Sequence, residues 1–301
     1  MLQSTHKVAM VRPVAFSYNP ETAISNSFQN NTNTPNTNTQ VLALQEFNNL
    51  VEILQKNGVE VVIFEDTLEP LTPDSIFPNN WISLHTTTAV LYPMCASNRR
   101  LERKESIYNY FIKNTEYKHI IHLEPYEAEA KFLEGTGSLV LDRVHKIAYM
   151  CRSIRADVTL AQLFCKEMEY QLVDFEAVNS ANIAIYHTNV LLCVGTEWAV
   201  ICLECIPDSI ERGKVVQALK NTHKTIIEIS IQQMNNFAGN MLEITTIAGK
   251  KLVAMSGAAY NSLTDTQKNT LQSFAEPIVA DIPTIEYYGG GSVRCMLLEI
   301  F

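Results

Sequence analysis

Apolar positions along this chain follow two alternating periods. Residues 7–13, Lys7-Val8-Ala9-Met10-Val11-Arg12-Pro13, read as a strand closed by proline. Val41, Leu42, Leu44, Phe47, Leu50, Val51 and Leu54 fall at helical spacing, Gly58 stops that helix, and 59–64 reads as a strand. From Trp81 one pattern recurs: a hairpin, a helix, then a strand. The first copy has hairpin strands at 81–84 and 89–92, a helix at 99–112 and a strand at 119–123. The second runs through 138–141, 147–150, a helix at 157–168 and 171–175. The third has 189–194, 199–203, a helix at 210–219 and 225–229. The fourth has 241–245, 251–255, a helix at 266–274 and 278–281. A fifth opens at 295–301, and the N-terminal strand, helix and 59–64 complete it.

The starts repeat at a spacing of roughly 55 residues, the scale of a structural repeat. A fifth unit split between the two ends predicts a ring of like units with its termini tied together and no free sheet edge. The alternative is an ordinary α/β domain with accidental regularity. All of 1–301 is expected to form one domain. The polar run at 26–40 cannot bury a core. It is expected to be either a solvated linker or a mobile lid over a site.

Composition narrows the function classes. The 301 residues are 47% hydrophobic, which suits a globular chain with a sizeable core. A net charge of -9 argues against nucleic acid and anionic membrane as partners. No apolar run reaches membrane length, and the N-terminus lacks a signal pattern. Seven scattered cysteines, an odd number, suggest reduced thiols and a cytoplasmic location.

In a ring of like units, equivalent positions converge on the axis. Asn80, Glu134, His187, Asn240 and Cys295 stand at the heads of the five units. A carboxylate, an imidazole and a thiol would therefore meet there, supplying an orienting group, a general acid/base and a nucleophile. Cys295 follows the loop Gly289-Gly290-Gly291-Ser292, whose glycines allow turns that side chains forbid. It is expected to open the terminal strand. Each of these residues alone has a plain structural reading; their shared phase is what points to chemistry. The spacing of Cys202-Leu203-Glu204-Cys205 suits redox or zinc chemistry, but no second pair accompanies it, and these cysteines read as structural residues in a strand. No metal and no organic cofactor are expected.

The stretches Asp74-Ser75-Ile76-Phe77-Pro78-Asn79-Asn80-Trp81, Glu134-Gly135, Tyr186-His187-Thr188-Asn189 and 289–295 resemble the guanidino-group-modifying, or pentein, superfamily. That superfamily includes arginine deiminase, dimethylarginine dimethylaminohydrolase and the glycine amidinotransferases. Arg12-Pro13, Phe16, Asn19, Glu21-Thr22-Ala23 and Phe28-Gln29 look most like its citrulline utilization hydrolase, amidinotransferase-like branch. The resemblance spans essentially the whole chain. It implies a pseudo-symmetric five-bladed α/β propeller with Cys295 as nucleophile, His187 as acid/base and Glu134 beside them. It further implies Asp74 against a substrate α-amino group, Phe77 against its alkyl chain, and Arg155 with Arg99 or Arg100 for its carboxylate.

Two departures bear on the substrate. Where arginine deiminases hold the guanidinium with carboxylates, this chain has Asn80 and Asn189. A buried carboxylate is costly without a cation, whereas an amide both donates and accepts. The expected activity is therefore hydrolysis of citrulline or a close ureido analogue to ornithine, ammonia and carbon dioxide. The alternatives are a deiminase or amidinotransferase acting on a guanidino substrate, and a non-catalytic binding module. The expected partner is a small amino acid, and self-association is left open.

Overall fold

Each unit lays two apolar strands side by side, crosses through a helix, and returns with a third strand. The computed structural model describes residues 2–31, 38–113 and 117–301. Five three-stranded sheets result. Ile82–His85, Thr88–Leu91 and His119–His122 form one. Val140–Asp142, Ile147–Cys151 and Gln171–Phe175 form the next, then Leu192–Val194, Trp198–Ile201 and Thr225–Glu228. Leu242–Thr245, Lys251–Ser256 and Glu276–Ala280 follow. The split sheet joins Leu298–Glu299 to Lys7–Arg12 and Glu60–Glu65. In all five, the first pairing is antiparallel and the second parallel. This is the expected pseudo-symmetric α/β propeller of the pentein fold.

Burial falls from the first strand to the third. Ile82–His85, Val140–Asp142 and Leu192–Val194 are buried throughout, while Glu60–Glu65 and His119–His122 expose both ends. The inner strands therefore carry buried polar residues such as Ser83, His85 and Glu243 among their apolar ones. The helix Thr39–Lys56 buries Ala43, Phe47, Leu50, Val51 and Leu54 on one face and lies against Glu60–Glu65 and Glu276–Ala280, so it joins two sheets. Asp157, Asp208 and Thr264 cap three of the crossover helices. The two ends of the chain are stitched by Ile300 N–H on the Lys7 carbonyl at 3.0 Å. Gln3 reaches further: its Nε2 donates to the Leu141 and Val194 carbonyls, and its Oε1 accepts from Arg143 N–H.

Three expectations are corrected. The helix expected at 99–112 is a 3₁₀ turn, Asn98–Glu102, followed by Glu105–Ile112. Cys295 does not open a strand; it sits in the helical turn Val293–Met296, and the strand is Leu298–Glu299. Cys205 lies in the 3₁₀ turn Leu203–Cys205, with Cys202 at its start. The 26–40 loop is not uniformly solvated. Asn26 and Gln29 are buried and residues 39–40 are helical, while 32–37 lie outside the described residues. Among the described residues no helix is long and apolar enough to cross a membrane.

Candidate active site

A single helical turn precedes most of the inner strands, and these turns carry the site. Pro78–Asn80, Gly135–Ser138, Thr188–Val190 and Val293–Met296 deliver Asn80, Glu134, His187 and Cys295. Proline opens the first turn, with φ already set for it. Asn240 stands just before Leu242–Thr245. All five side chains are buried, Cys295 at 4% exposure and Glu134 at 0%.

Two amides converge on the thiol. Asn189 Nδ2 lies 3.4 Å and Asn240 Nδ2 3.3 Å from Cys295 Sγ. Asn240 is itself held, donating to the Asn189 carbonyl and accepting from Arg294 N–H. Both amides thus aim donors at the sulfur. His187 Nε2 lies 2.8 Å from Glu134 Oε2, and Cys95 N–H donates to Glu134 Oε1 at 3.0 Å. Gly137 permits this arrangement. A Cβ there would lie 2.5 Å from Asn80 Nδ2 and 2.7 Å from His187 Nδ1.

The charges are set by burial and by Arg155. Burial alone would raise the Glu134 carboxyl, but Arg155 and the bond from His187 hold it far below the usual range. Burial pushes His187 down to about 4, outweighing the pull of Glu134. At neutral pH a neutral imidazole therefore donates Nε2–H to an ionised carboxylate, leaving the other ring nitrogen as a base.

A small pocket adjoins the thiol. Asp74, Phe77, Asn80, Arg99, Arg155 and His187 line it with Cys295. Asp74 Oδ2 accepts from Asn19 and Thr22, while Oδ1 has no protein partner. Burial raises its carboxyl, against the pull of Arg99. The Phe77 ring packs on Gly289 and Gly291. Of the two adjacent arginines, Arg99 faces the pocket, and Arg100 turns to the Met94 and Cys95 carbonyls. Arg99 does not offer its fork to a substrate. Nε and Nη2 are held by Glu102 at 2.8 and 3.0 Å, and Nη1 meets Asn80 Oδ1 at 2.7 Å. Arg155 pairs with Glu134 at 3.5 Å and also holds the Thr22 carbonyl and Ser25.

Sequence reasoning missed several contributors. Thr22 and Asn26 line the pocket from the N-terminal segment, which lies outside the repeat and so had no phase to mark it; Thr22 entered only through the family resemblance. Asn26 Nδ2 reaches the Gly290 carbonyl, and Gly290 takes φ +59° against Asn26 and Gln29, a conformation open to glycine. Asn240 stood at the right phase but carried no assigned role. Among the described residues no group of three or more His, Cys, Asp or Glu side chains is placed to hold a metal ion.

The fold has known counterparts. The substrate-bound N-terminal domain of ArgZ, an arginine dihydrolase from the ornithine-ammonia cycle in cyanobacteria, superposes with a TM-score of 0.75 at 14% identity over 97% of each chain. The chain spans only 40% of the length of full ArgZ. AgrE in complex with L-arginine gives 0.76 at 15% identity, over 97% of this chain and 40% of that one. Dimethylarginine dimethylaminohydrolase, as an adduct with S-methyl-L-thiocitrulline, gives 0.66 at 16% identity over 99% and 100%. The comparison with curated protein sequences found no match. Residues 12–301 match the family model described as N,N dimethylarginine dimethylhydrolase, eukaryotic, and the chain belongs to that family, within the pentein superfamily of guanidino-group-modifying enzymes.

Proposed function

We propose that the protein hydrolyses citrulline, or a close ureido amino acid, to ornithine, ammonia and carbon dioxide, with Cys295 as nucleophile. The direction of the Asn80 amide carries this reading. Arginine has donors only, so the Asn80 atom 2.7 Å from Arg99 is oxygen. The Nδ2 group is thereby turned away, buried and without a protein partner. A ureido carbonyl accepts from it; a guanidinium, all donors, cannot. Asn189 places Nδ2 on the sulfur and lines the neighbouring buried cavity rather than this pocket, its Oδ1 without a protein partner. A buried polar group left unmet costs about 1–3 kcal/mol, so a substrate that meets the Asn80 N–H group is favoured.

The chemistry follows. Neutral His187 takes the thiol proton, and the thiolate attacks the ureido carbon. The Asn80 N–H group supports the developing oxyanion. His187 passes its proton to the departing nitrogen, and ammonia leaves an S-carbamoyl group still bonded to the substrate side chain. Water, deprotonated by His187, breaks the C–S bond and restores the thiol. The freed carbamate loses carbon dioxide to give ornithine. In the other order ornithine leaves first. Asp74 Oδ1 is suited to the substrate α-ammonium.

A second reading keeps a guanidino substrate. The same Asp74 oxygen favours it, as do ArgZ and AgrE, whose names record arginine. Separate incubation with citrulline, arginine and dimethylarginine, read by mass spectrometry with ammonia assay, decides between them. Ornithine from citrulline is the expected result; ammonia from arginine alone would replace the first reading with the second.

A further inference from the structure

We infer that Glu102 is a specificity-setting positioning residue, which acts through Arg99 to hold the Asn80 amide with its N–H group toward the substrate. The inference rests on the ureido reading above.

Arg99 and Glu102 lie three apart on the 3₁₀ turn Asn98–Glu102, where such side chains eclipse. Both are almost fully buried, at 3% and 2% exposure. The carboxylate grips the guanidinium at Nε and Nη2, matching fork to fork. Nη2 also donates to the Phe77 carbonyl at 3.1 Å. Held at these points, the plane cannot turn, and the remaining nitrogen, Nη1, points at Asn80 Oδ1. The amide orientation is thus dictated two side chains away from the pocket.

Without Glu102 the guanidinium would be a buried charge lacking its partner. Asp74 and Glu134 are the other carboxylates that act on it. Turning toward either would free the Asn80 oxygen. The amide could then present oxygen to the pocket, which suits the N–H groups of a guanidinium. In this view Glu102 converts a residue type usually found clamping substrate carboxylates into a lock on a neutral amide.

The test compares kcat/KM for citrulline and for arginine in wild type, Glu102→Gln and Glu102→Asp. A second variant, Arg99→Met with Glu102→Leu, replaces the pair by apolar side chains, an exchange that buried pairs often tolerate without loss of fold. Glu102→Gln and the double variant are expected to narrow the citrulline preference at least tenfold, with partial return in Glu102→Asp. A structural role alone would lower activity on both substrates alike. If wild type prefers citrulline and the ratio stays constant while the melting temperature falls, the inference is overturned and the ureido reading stands. If wild type does not turn over citrulline, the ureido reading fails and takes the inference with it.

Discussion

Asn240 donates its side-chain N–H to the Sγ of Cys295 at 3.3 Å, while its oxygen holds the N–H of the neighbouring Arg294. One amide thus holds both the sulfur and the turn that carries it. Asn240→Ala should slow iodoacetamide alkylation of Cys295 about tenfold, on loss of a bond to sulfur worth about 1.5 kcal/mol. An unchanged alkylation rate would remove Asn240 from support of the sulfur. Cys295→Ser should abolish both labelling at this site and turnover, since a serine hydroxyl is a far weaker acid and nucleophile than a thiol.

His187 should make the protein acid-sensitive. Its folded value is near 4 and its ordinary value 6.5. Between these, the unfolded chain binds a proton that the folded chain refuses. Stability therefore rises with pH through this window and is lost as pH falls. The slope is at most about 1.4 kcal/mol per pH unit. Glu134, held below its ordinary 4.5, adds a loss of the same sign at lower pH. Denaturant titrations from pH 4 to 7 should show the slope, flattened in His187→Gln. An equal slope in that variant would mean that another group takes up the proton.

Asn80 and Asn189 can be charged. Asn80→Asp with Asn189→Asp should weaken citrulline binding and strengthen binding of arginine-like cations. A carboxylate cannot donate to the ureido oxygen, and it pairs with a guanidinium. Calorimetry in a Cys295→Ser background gives the ratio of affinities. A ratio equal to that of the parent would show that these residues do not read substrate charge.

Gly137→Ala should cost activity out of proportion to stability. The added methyl would press on Asn80 Nδ2 and His187 Nδ1, both closer than real Cβ contacts allow. Expected is a loss of kcat of at least tenfold, as positioning errors near 1 Å can cost more, with a folded far-UV spectrum. Retained turnover would place the ring and amide elsewhere.

The blades were legible because their hairpin strands are mostly apolar. Most strand boundaries moved by only one or two residues. What the sequence did not reveal has two sources. The one-turn helices at the blade heads are too short to display a 3.6-residue period, so Cys295 read as the start of a strand. The segment holding Thr22 and Asn26 lies outside the repeat, and its buried groups resemble ordinary polar loop residues. The phase of the repeat marked Cys295, His187 and Glu134 as neighbours, and the structure gathers them. Arg99 was placed correctly at the pocket, yet its partner was not foreseen, although opposite charges at 99 and 102 were visible. The way an amide faces depends on its neighbours in space, and no pattern in the chain encodes it.

The blade heads that meet at the thiol are far apart along the chain. The Asn189–Cys295 and Asn240–Cys295 contacts span 106 and 55 residues, and His187–Glu134 spans 53. Contacts of such range form slowly, because loop closure must precede any gain from them. Each blade can form its hairpin from neighbouring residues, whereas the cluster around Cys295 exists only when several blades stand in register. After dilution from denaturant, helix and sheet content should therefore return before the first detectable turnover, and the lag between them would measure the time the ring needs to assemble.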